Sequence, residues 1–114
     1  MDSLPIINKT YEVYKEIIVL QSKLEKRWRY SLGSGLENSI LDFMEILAMA
    51  KSAPKTLKSS YLLKAMGKLE VNILRLRLLL ELKLVNETKL FQLQAKFAEI
   101  GRMLGGWIKS VQGT

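Results

Sequence analysis

The stretch from Leu62 to Leu84, LLKAMGKLEVNILRLRLLLELKL, decides the fold of this chain. Apolar residues recur in it at alternating steps of four and three, which is the spacing of one stripe on a long helix: Leu62, Met66, Leu69, Ile73, Leu76 and Leu80. At about 100° per residue, a second apolar stripe falls on another side of the same helix: Val71, Leu74, Leu78 and Leu82. Because a surface helix of a monomer needs only one apolar stripe, we expect the second stripe to face a partner subunit.

Composition limits the chain to one small domain and removes most catalytic chemistry. Its 114 residues are 48% hydrophobic, which is enough for one core. The chain has no cysteine and no histidine, so it lacks thiolate and imidazole metal ligands and the commonest general base. Di-iron bundle proteins need Glu-x-x-His pairs, which this chain cannot form. We therefore expect no catalytic residue, no metal and no cofactor.

The chain is strongly basic, with a formal net charge of +7 and a pI near 9.7. Such a charge favours nucleic acid, an acidic protein or an anionic membrane as the partner. No apolar run approaches the ~18 residues of a membrane span. The first five residues have neither the basic nor the apolar region of a signal peptide. We therefore expect a cytoplasmic protein.

Periodicity and helix breakers divide the chain into four predicted helices, at about residues 5–29, 35–53, 57–84 and 87–111. Pro5 suits the first turn of a helix, and Pro54 prevents the second helix from continuing. The first helix carries an apolar stripe that includes Trp28, with Gln21 as its one polar member. Long helices with short connections imply an all-α, up-down-up-down antiparallel four-helix bundle.

Local signals predict how these helices begin. The stretch from Tyr30 to Gly35 is rich in serine and glycine and is predicted to be a loop. Ser34 and Glu37 have the spacing of a capping box for the second helix. Asn86 or Thr88 is expected to cap the fourth helix.

Basic residues concentrate near the end of the first predicted helix, where Trp28 and Tyr30 are interleaved with Lys23, Lys26, Arg27 and Arg29. One interpretation is a phosphate-contacting patch with aromatic rings for stacking. The other is a helix C-terminus whose cations complement the helix dipole. For Trp28 we favour a place in the core, because it falls on the apolar stripe.

A second basic stretch has no acidic residue between Glu45 and Glu70, and it contains Lys51, Lys55, Lys58, Lys64 and Lys68. Lys64, Lys68 and Arg75 share one side of the predicted third helix. Lysines kept only for solubility would usually be mixed with acidic residues. We therefore expect these cations, with those of the first stretch, to bind nucleic acid or a protein partner.

The fourth predicted helix carries small residues beside its apolar stripe, among them Gly101 and Gly105. Glycine costs about 1 kcal/mol relative to alanine inside a helix, so we expect another helix to approach closely there. The period continues through Trp107 and Val111, and Gly113 is the expected terminator. The predicted oligomer interface comprises Val71, Leu74, Arg77, Leu78, Glu81, Gly101 and Gly105.

The string from Glu99 to Ser110, EIGRMLGGWIKS, is the most specific motif in the chain. It resembles the C-terminal signature of the accessory variability determinant (Avd) family, small four-helix-bundle proteins of diversity-generating retroelements. The basic-aromatic run from Lys26 to Tyr30, followed by Leu32-Gly33, is also similar to that family. So is the leucine-rich third helix with its Arg75, Arg77 and Glu81. The likeness spans nearly the whole chain.

The resemblance implies a homopentamer with a basic surface that associates with the element's reverse transcriptase and its RNA. Such proteins support the synthesis of mutagenised cDNA without catalysing it. A wider relative is the bundle protein encoded by intervening sequences in bacterial 23S ribosomal RNA genes. The second helix of that protein usually ends in an Asn-Ile-Ala-Glu-Gly-type sequence, and the stretch from Glu45 to Lys51, EILAMAK, departs from it.

Two other functions compete with this one. The first is a structural bundle of the intervening-sequence type, with general nucleic-acid or protein binding, or with charge that only serves solubility. The second is a membrane-surface binder, which is the weakest because each helix needs its apolar side for the core. We therefore expect no membrane partner.

Overall fold

Four long helices run alternately up and down in the computed structural model, which describes residues 4–113. In chain order the helices are α1 (Leu4–Ser22), the short α2 (Lys26–Trp28), α3 (Ser34–Ser52), α4 (Lys55–Glu81) and α5 (Glu87–Gln112). A π-helical turn at Arg29–Gly33 joins α2 to α3. α3 packs on α1 and α4, and α5 packs on α4 and, over a smaller contact, on α1. The predicted antiparallel four-helix bundle is confirmed.

The bundle is elongated, with dimensions of 47 × 22 × 19 Å, and its two ends carry different connections. One end, called here the Tyr30 end, holds the turn at residues 23–25 and the α4–α5 connection at residues 82–86. The opposite end, called the Pro54 end, holds the α3–α4 connection. No helix within residues 4–113 is long and apolar enough to cross a membrane. The prediction that no signal peptide is present depends partly on residues 1–3, which lie outside the described range.

One continuous core fills the space between the long helices. Its fully buried members come from all four of them and include Val13, Ile17, Ile40, Phe43, Leu47, Leu76, Leu90, Leu93, Ile100 and Leu104. Burial of one such side chain stabilises the fold by about 1.5–3 kcal/mol. The apolar stripes of the four helices therefore supply the main stabilising interaction.

The inward side of α4 differs at one position from its predicted stripe. Five of the six predicted members are buried or pack partly against the core: Leu62, Met66, Leu69, Leu76 and Leu80. Ile73, however, is 38% exposed, and the neighbouring Asn72 is completely buried instead. The amide of Asn72 has no hydrogen-bond partner among the described residues. Because asparagine is polar, the apolar pattern assigned the inward position to Ile73 instead of Asn72. The prediction for Ile73 is therefore wrong.

The connection between α1 and α3 also differs from the prediction. α1 ends at Ser22 rather than near residue 29, and the chain is helical again from Lys26 to Ser52 through the π-helical turn. The stretch predicted to be a loop is therefore helical. Gly33 and Ser34 keep right-handed helical backbone angles, and no side chain caps α3 there. The predicted capping box of Ser34 and Glu37 does not form.

The π-helical turn passes close to α1 at Gly33, which is buried. A Cβ atom on Gly33 would lie 2.7 Å from Cγ of Gln21 and 3.0 Å from Cδ1 of Leu24. Only glycine fits such a contact without displacing a neighbour. Gln21 is the polar member of the α1 stripe, and its Nε2 donates a hydrogen bond of 3.4 Å to the Arg29 carbonyl. The π-helical turn and the end of α1 thus approach each other closely at Gly33.

The connections at the two ends of α4 follow recognisable stop signals. Pro54 precedes α4 in an extended conformation, as expected for a residue that ends one helix and begins the next. Beyond the last turn of α4, Lys83 adopts a left-handed conformation with φ of 56°. The Leu84 amide donates to the Leu79 carbonyl at 3.1 Å, and the Lys83 amide donates to the Leu80 carbonyl at 3.0 Å. These two bonds form a Schellman end, here with lysine in the place usually taken by glycine.

Ion pairs reinforce the contact between α1 and α5. Glu16 on α1 lies 2.8 Å from Nζ of Lys89 and 2.7 Å from Nζ of Lys96, and Lys9 lies 2.8 Å from Glu99. Partial burial raises the pKa of Glu16, but the hydrogen bonds from the two lysines outweigh it and hold the pKa below the usual 4.5. The hydrogen bond from Lys9 likewise lowers the pKa of Glu99.

We predict that Gly33→Ala lowers the free energy of unfolding by about 1–3 kcal/mol, the usual cost of overpacking a fitted contact. The added methyl group must displace Gln21 or Leu24. Urea denaturation followed by circular dichroism measures the effect. Gly35→Ala is the matched control, because a Cβ atom at Gly35 meets nothing within 4 Å. The control should be neutral or stabilising, and equal losses in the two variants would contradict the close approach at Gly33.

We predict that acid weakens the α1–α5 contact through Glu16. Because its folded-state pKa is depressed, Glu16 stabilises the fold above its unfolded pKa, and this contribution is lost as the pH falls through the folded pKa. Glu16→Gln should therefore be less stable than the wild type at about pH 7 and should lose less stability below about pH 5. Glu12→Gln is the control, because exposed Glu12 pairs with Lys15 of its own helix and with no other residue among 4–113. Parallel stability profiles of Glu16→Gln and the wild type would disprove the assignment.

Candidate interaction surfaces

A continuous apolar surface runs along the side of α4 that points away from the core. It consists of five exposed side chains, called here the outer face of α4: Leu63, Val71, Leu74, Leu78 and Leu82. Leu74 is 57% exposed and Leu63 is 53% exposed. Together with Gly67 they recur at steps of four and three, so they form one stripe. Leu63 extends the predicted second stripe by two turns, and its spacing could have identified it from the sequence.

Charged side chains border the outer face of α4. Arg77 Nε lies 3.0 Å from Oε1 of Glu81, one turn further along the helix. Lys64 and Glu70 are also exposed along this side of the helix. An apolar centre with a polar border is the usual anatomy of a protein–protein contact. The outer face of α4 therefore has the composition of an interface. Its contact with a partner subunit is still a prediction.

The small residues of α5 do not mark a close approach between helices of the bundle. A Cβ atom on Gly101 would make an ordinary contact of 3.6 Å with Leu69, and one on Gly105 would meet nothing within 4 Å. The close approach predicted for this line is therefore wrong for the helices of this chain. A shallow groove of about 150 Å³ opens between the two helices, lined by Ile73, Leu76, Gln94, Phe97 and Ala98. Contact of these glycines with a second subunit is still a prediction.

The ten cations predicted to bind nucleic acid or a partner do not form one cluster. Lys23, Lys26 and Arg27 are exposed at the Tyr30 end, whereas Lys51, Lys55 and Lys64 are exposed towards the Pro54 end. The helical chain from Lys26 to Lys51 spans roughly 35 Å at 1.5 Å per residue. The half-buried Lys68 and Arg75 lie between, and Arg75 Nη1 donates to the Gly35 carbonyl at 3.4 Å.

Two of the ten cations complete the ends of helices. Nη2 of Arg29 donates to the carbonyls of Ser22 and Leu24 at 3.3 and 3.2 Å, at the end of α1. Nζ of Lys58 donates to two carbonyls at the end of α3, at 2.8 and 2.9 Å. The last carbonyls of a helix lack intrahelical donors, so these bonds stabilise the two helix ends. Arg29 and Lys58 therefore have structural roles in the folded chain.

Two aromatic side chains at the Tyr30 end have different environments. Trp28 is half-buried and lies outside the core, so its predicted core position is wrong. The reason is that α1 ends before the stripe reaches it. The guanidinium carbon of Arg27 lies 4.3 Å from the centre of the Trp28 ring. Tyr30 is 70% exposed, more than any other large apolar side chain among the described residues.

An open cleft of about 490 Å³ also lies at the Tyr30 end, between the end of α1 and the α4–α5 connection. Four apolar side chains, two lysines and one asparagine line it: Val19, Leu20, Lys23, Leu84, Val85, Asn86 and Lys89. This volume is within the usual range for small-molecule pockets. The cleft was not predicted from the sequence, because the residues that line it are far apart in the chain.

No group of three His, Cys, Asp or Glu side chains within residues 4–113 is placed to hold a metal ion. Comparison with known proteins gave no match, since no protein-family model, curated protein or solved structure is significantly similar to this chain. A functional proposal therefore rests on the surfaces described above and on the resemblance of the sequence motifs.

We predict that the wild-type chain is an oligomer and that Leu74→Glu converts it into a helical monomer of similar stability. A charge in the centre of an apolar contact is costly to bury, whereas Leu74 is exposed in the single chain and does not support its core. Sedimentation velocity and circular dichroism measure the two properties. Leu57→Glu is the control, because Leu57 is similarly exposed on α4 but lies off the outer face. A wild-type monomer, or an oligomer that tolerates Leu74→Glu, would contradict the assignment.

Proposed function

We propose that the chain is a non-catalytic accessory protein of a diversity-generating retroelement. In this role it forms a homo-oligomer, a pentamer in the Avd family that it resembles. It binds the element's reverse transcriptase and template RNA through its exposed cations, and so supports mutagenic cDNA synthesis. The observation that carries the proposal is the outer face of α4, an apolar surface on a helix whose other side is already buried in the core.

Oligomer formation follows from the length of that surface. From Leu63 to Leu82 the stripe extends for roughly 28 Å at 1.5 Å per residue. Soluble monomers rarely leave a contiguous apolar patch of such length exposed to water. Removal of leucine side chains from water on association would stabilise the oligomer by about 25 cal/mol per Å² of apolar surface buried. The outer face of α4 is therefore the proposed contact between subunits.

The motif that carries the family resemblance divides between core and surface. Within Glu99–Ser110, the side chains of Ile100, Leu104 and Trp107 are buried and hold α5 in the bundle. Arg102, Gly106 and Lys109 are exposed on the other side of the helix. Burial accounts for the apolar members of the motif, but it does not account for the exposed ones. We infer that these exposed residues contact a partner, as the family resemblance implies.

Nucleic-acid binding is supported by the number of exposed cations with no core role. Lysines that contact phosphates release counterions, so binding of this kind weakens steeply as salt rises and shows little base preference. The cations lie at both ends of the bundle, and the outer face of α4 lies between them. An oligomer formed through that face would leave both ends open to a polynucleotide and to the reverse transcriptase.

The direct test is co-purification of the chain with the reverse transcriptase encoded beside it, followed by cDNA synthesis from the element's template RNA. We expect a stable complex and more cDNA in the presence of the chain than in its absence. A genome without a reverse transcriptase gene and a template repeat near this gene would contradict the retroelement assignment. RNA binding in that case would favour the intervening-sequence type of function.

We predict that Lys51→Glu and Lys55→Glu together weaken RNA binding at least about tenfold at low salt and leave the oligomer intact. If each lysine contacts one phosphate, the slope of log K against log salt should become shallower by about 1.4 for a single strand. Lys64 is kept, because it borders the outer face of α4. Lys58 is kept, because it caps α3. Fluorescence anisotropy across a salt series gives both quantities.

Lys15→Glu is the control for this double variant, because Lys15 is exposed on α1 but pairs with Glu12. It should bind RNA with nearly wild-type affinity. Dissociation of the double variant into monomers would show that these lysines belong to the subunit contact. Unchanged RNA binding would remove the Pro54 end from the proposed binding surface.

A further inference from the structure

Tyr30 combines a backbone that is held on both sides with a side chain that is mostly exposed. On one side, Arg29 is held by its hydrogen bonds to the end of α1. On the other side, Ser31 Oγ donates to the Arg27 carbonyl at 3.0 Å, and Gly33 is packed against Gln21. The Tyr30 ring is nevertheless 70% exposed. The exposed face of this ring is therefore available to a ligand.

Cations lie on the same side of the helix as the ring. Lys26 and Arg27 precede Tyr30 by four and three residues, the separations that place side chains next to one another on a helix. Lys26 makes no ion pair with any described residue. Glu25 and Glu37 are the only carboxylates between residues 23 and 37, against four cations. The surroundings of the ring are therefore positive and suited to phosphates.

The neighbouring aromatic residue, Trp28, is less accessible to a ligand than Tyr30. The Arg27 guanidinium covers one side of the Trp28 ring at 4.3 Å, and the Trp28 side chain is half-buried. Of the two rings in the basic stretch, Tyr30 is therefore the one whose face a ligand can reach. A base can stack on an exposed ring only if one of its own faces is uncovered. Paired bases inside a duplex have both faces covered by their neighbours, and unpaired bases do not.

We propose that Tyr30 is a stacking platform for an unpaired base, so that the Tyr30 end selects single-stranded over duplex nucleic acid. Lys26 and Arg27 hold the phosphates beside that base. The inference depends on the proposed nucleic-acid binding and specifies the class of strand and the residue that recognises it. Stacking needs only the face of a base, so this contact accepts any sequence.

The test compares variants of the full chain on a labelled single-stranded RNA of about 15 nucleotides and on the same strand annealed to its complement, at fixed salt. Loss of one stacked base costs about 1–3 kcal/mol, so Tyr30→Ala should bind the single strand about 5- to 150-fold more weakly. Its affinity for the duplex and its salt dependence should stay at wild-type values, because Tyr30 carries no charge. Tyr30→Phe should keep single-strand affinity, since the ring stacks without its hydroxyl.

Two further variants separate stacking from other contacts. Tyr30→Leu keeps apolar bulk without an aromatic face and should behave like Tyr30→Ala. Tyr11→Ala is the matched control, because Tyr11 is 51% exposed on α1 and Nζ of Lys15 lies 5.0 Å from its ring centre. It should bind both RNAs like the wild type. Thermal unfolding followed by circular dichroism confirms that each variant is folded.

The outcomes distinguish this inference from the proposed function. A wild-type chain that binds neither RNA would overturn both the proposed nucleic-acid binding and the role of Tyr30. Binding that Tyr30→Ala leaves unchanged, or weakens equally for single strand and duplex, would overturn the stacking role alone. Full single-strand affinity in Tyr30→Leu would also overturn it, because an aromatic face would then be unnecessary.

Discussion

Burial of one side of α4 against α3 and α5 is the constraint on which the remaining surface depends. An α-helix presents only part of its circumference to a bundle core, and in α4 that part is occupied by side chains such as Leu62, Leu69 and Leu76. The leucines on the opposite side have no room inside the same bundle. They would stabilise the protein if a second molecule covered them, as proposed above. One side of this helix thus holds the fold together, and the other side is the proposed subunit contact.

The sequence was informative about the fold because periodicity reports which side of a helix is apolar. The stripe of α5 illustrates this, since Leu93, Phe97 and Ile100 recur in the sequence at steps of four and three and are all buried. Periodicity failed where a polar residue occupies the core, as Asn72 does. It also failed at the predicted loop, because local preference treats glycine and serine as breakers. Gly33 is instead required by a contact with α1, which is a tertiary effect.

The candidate site was harder to predict than the fold, because the role of a cation depends on where helices end. Arg29 and Lys58 look like their basic neighbours in sequence, yet each caps a helix. Glu16 shows the same limitation, since Lys89 and Lys96 reach it from a helix far along the chain. Once these structural cations are set aside, the exposed ones separate into two groups at opposite ends of the bundle. A count of charges in the sequence cannot make that division.

The π-helical turn at Arg29–Gly33 has a consequence for how this protein can vary. Such a turn is wider than an α-helical turn and in effect accommodates an inserted residue. A chain one residue shorter between Tyr30 and Gly33 would regain a regular α-helix and could keep the register of α3 in the core. The residues directly before the deletion, from Lys26 to Tyr30, would rotate by about 100° around the helix axis. Changes of length at this turn would thus redirect the aromatic ring and its cations as a unit, while α3 keeps its register in the core.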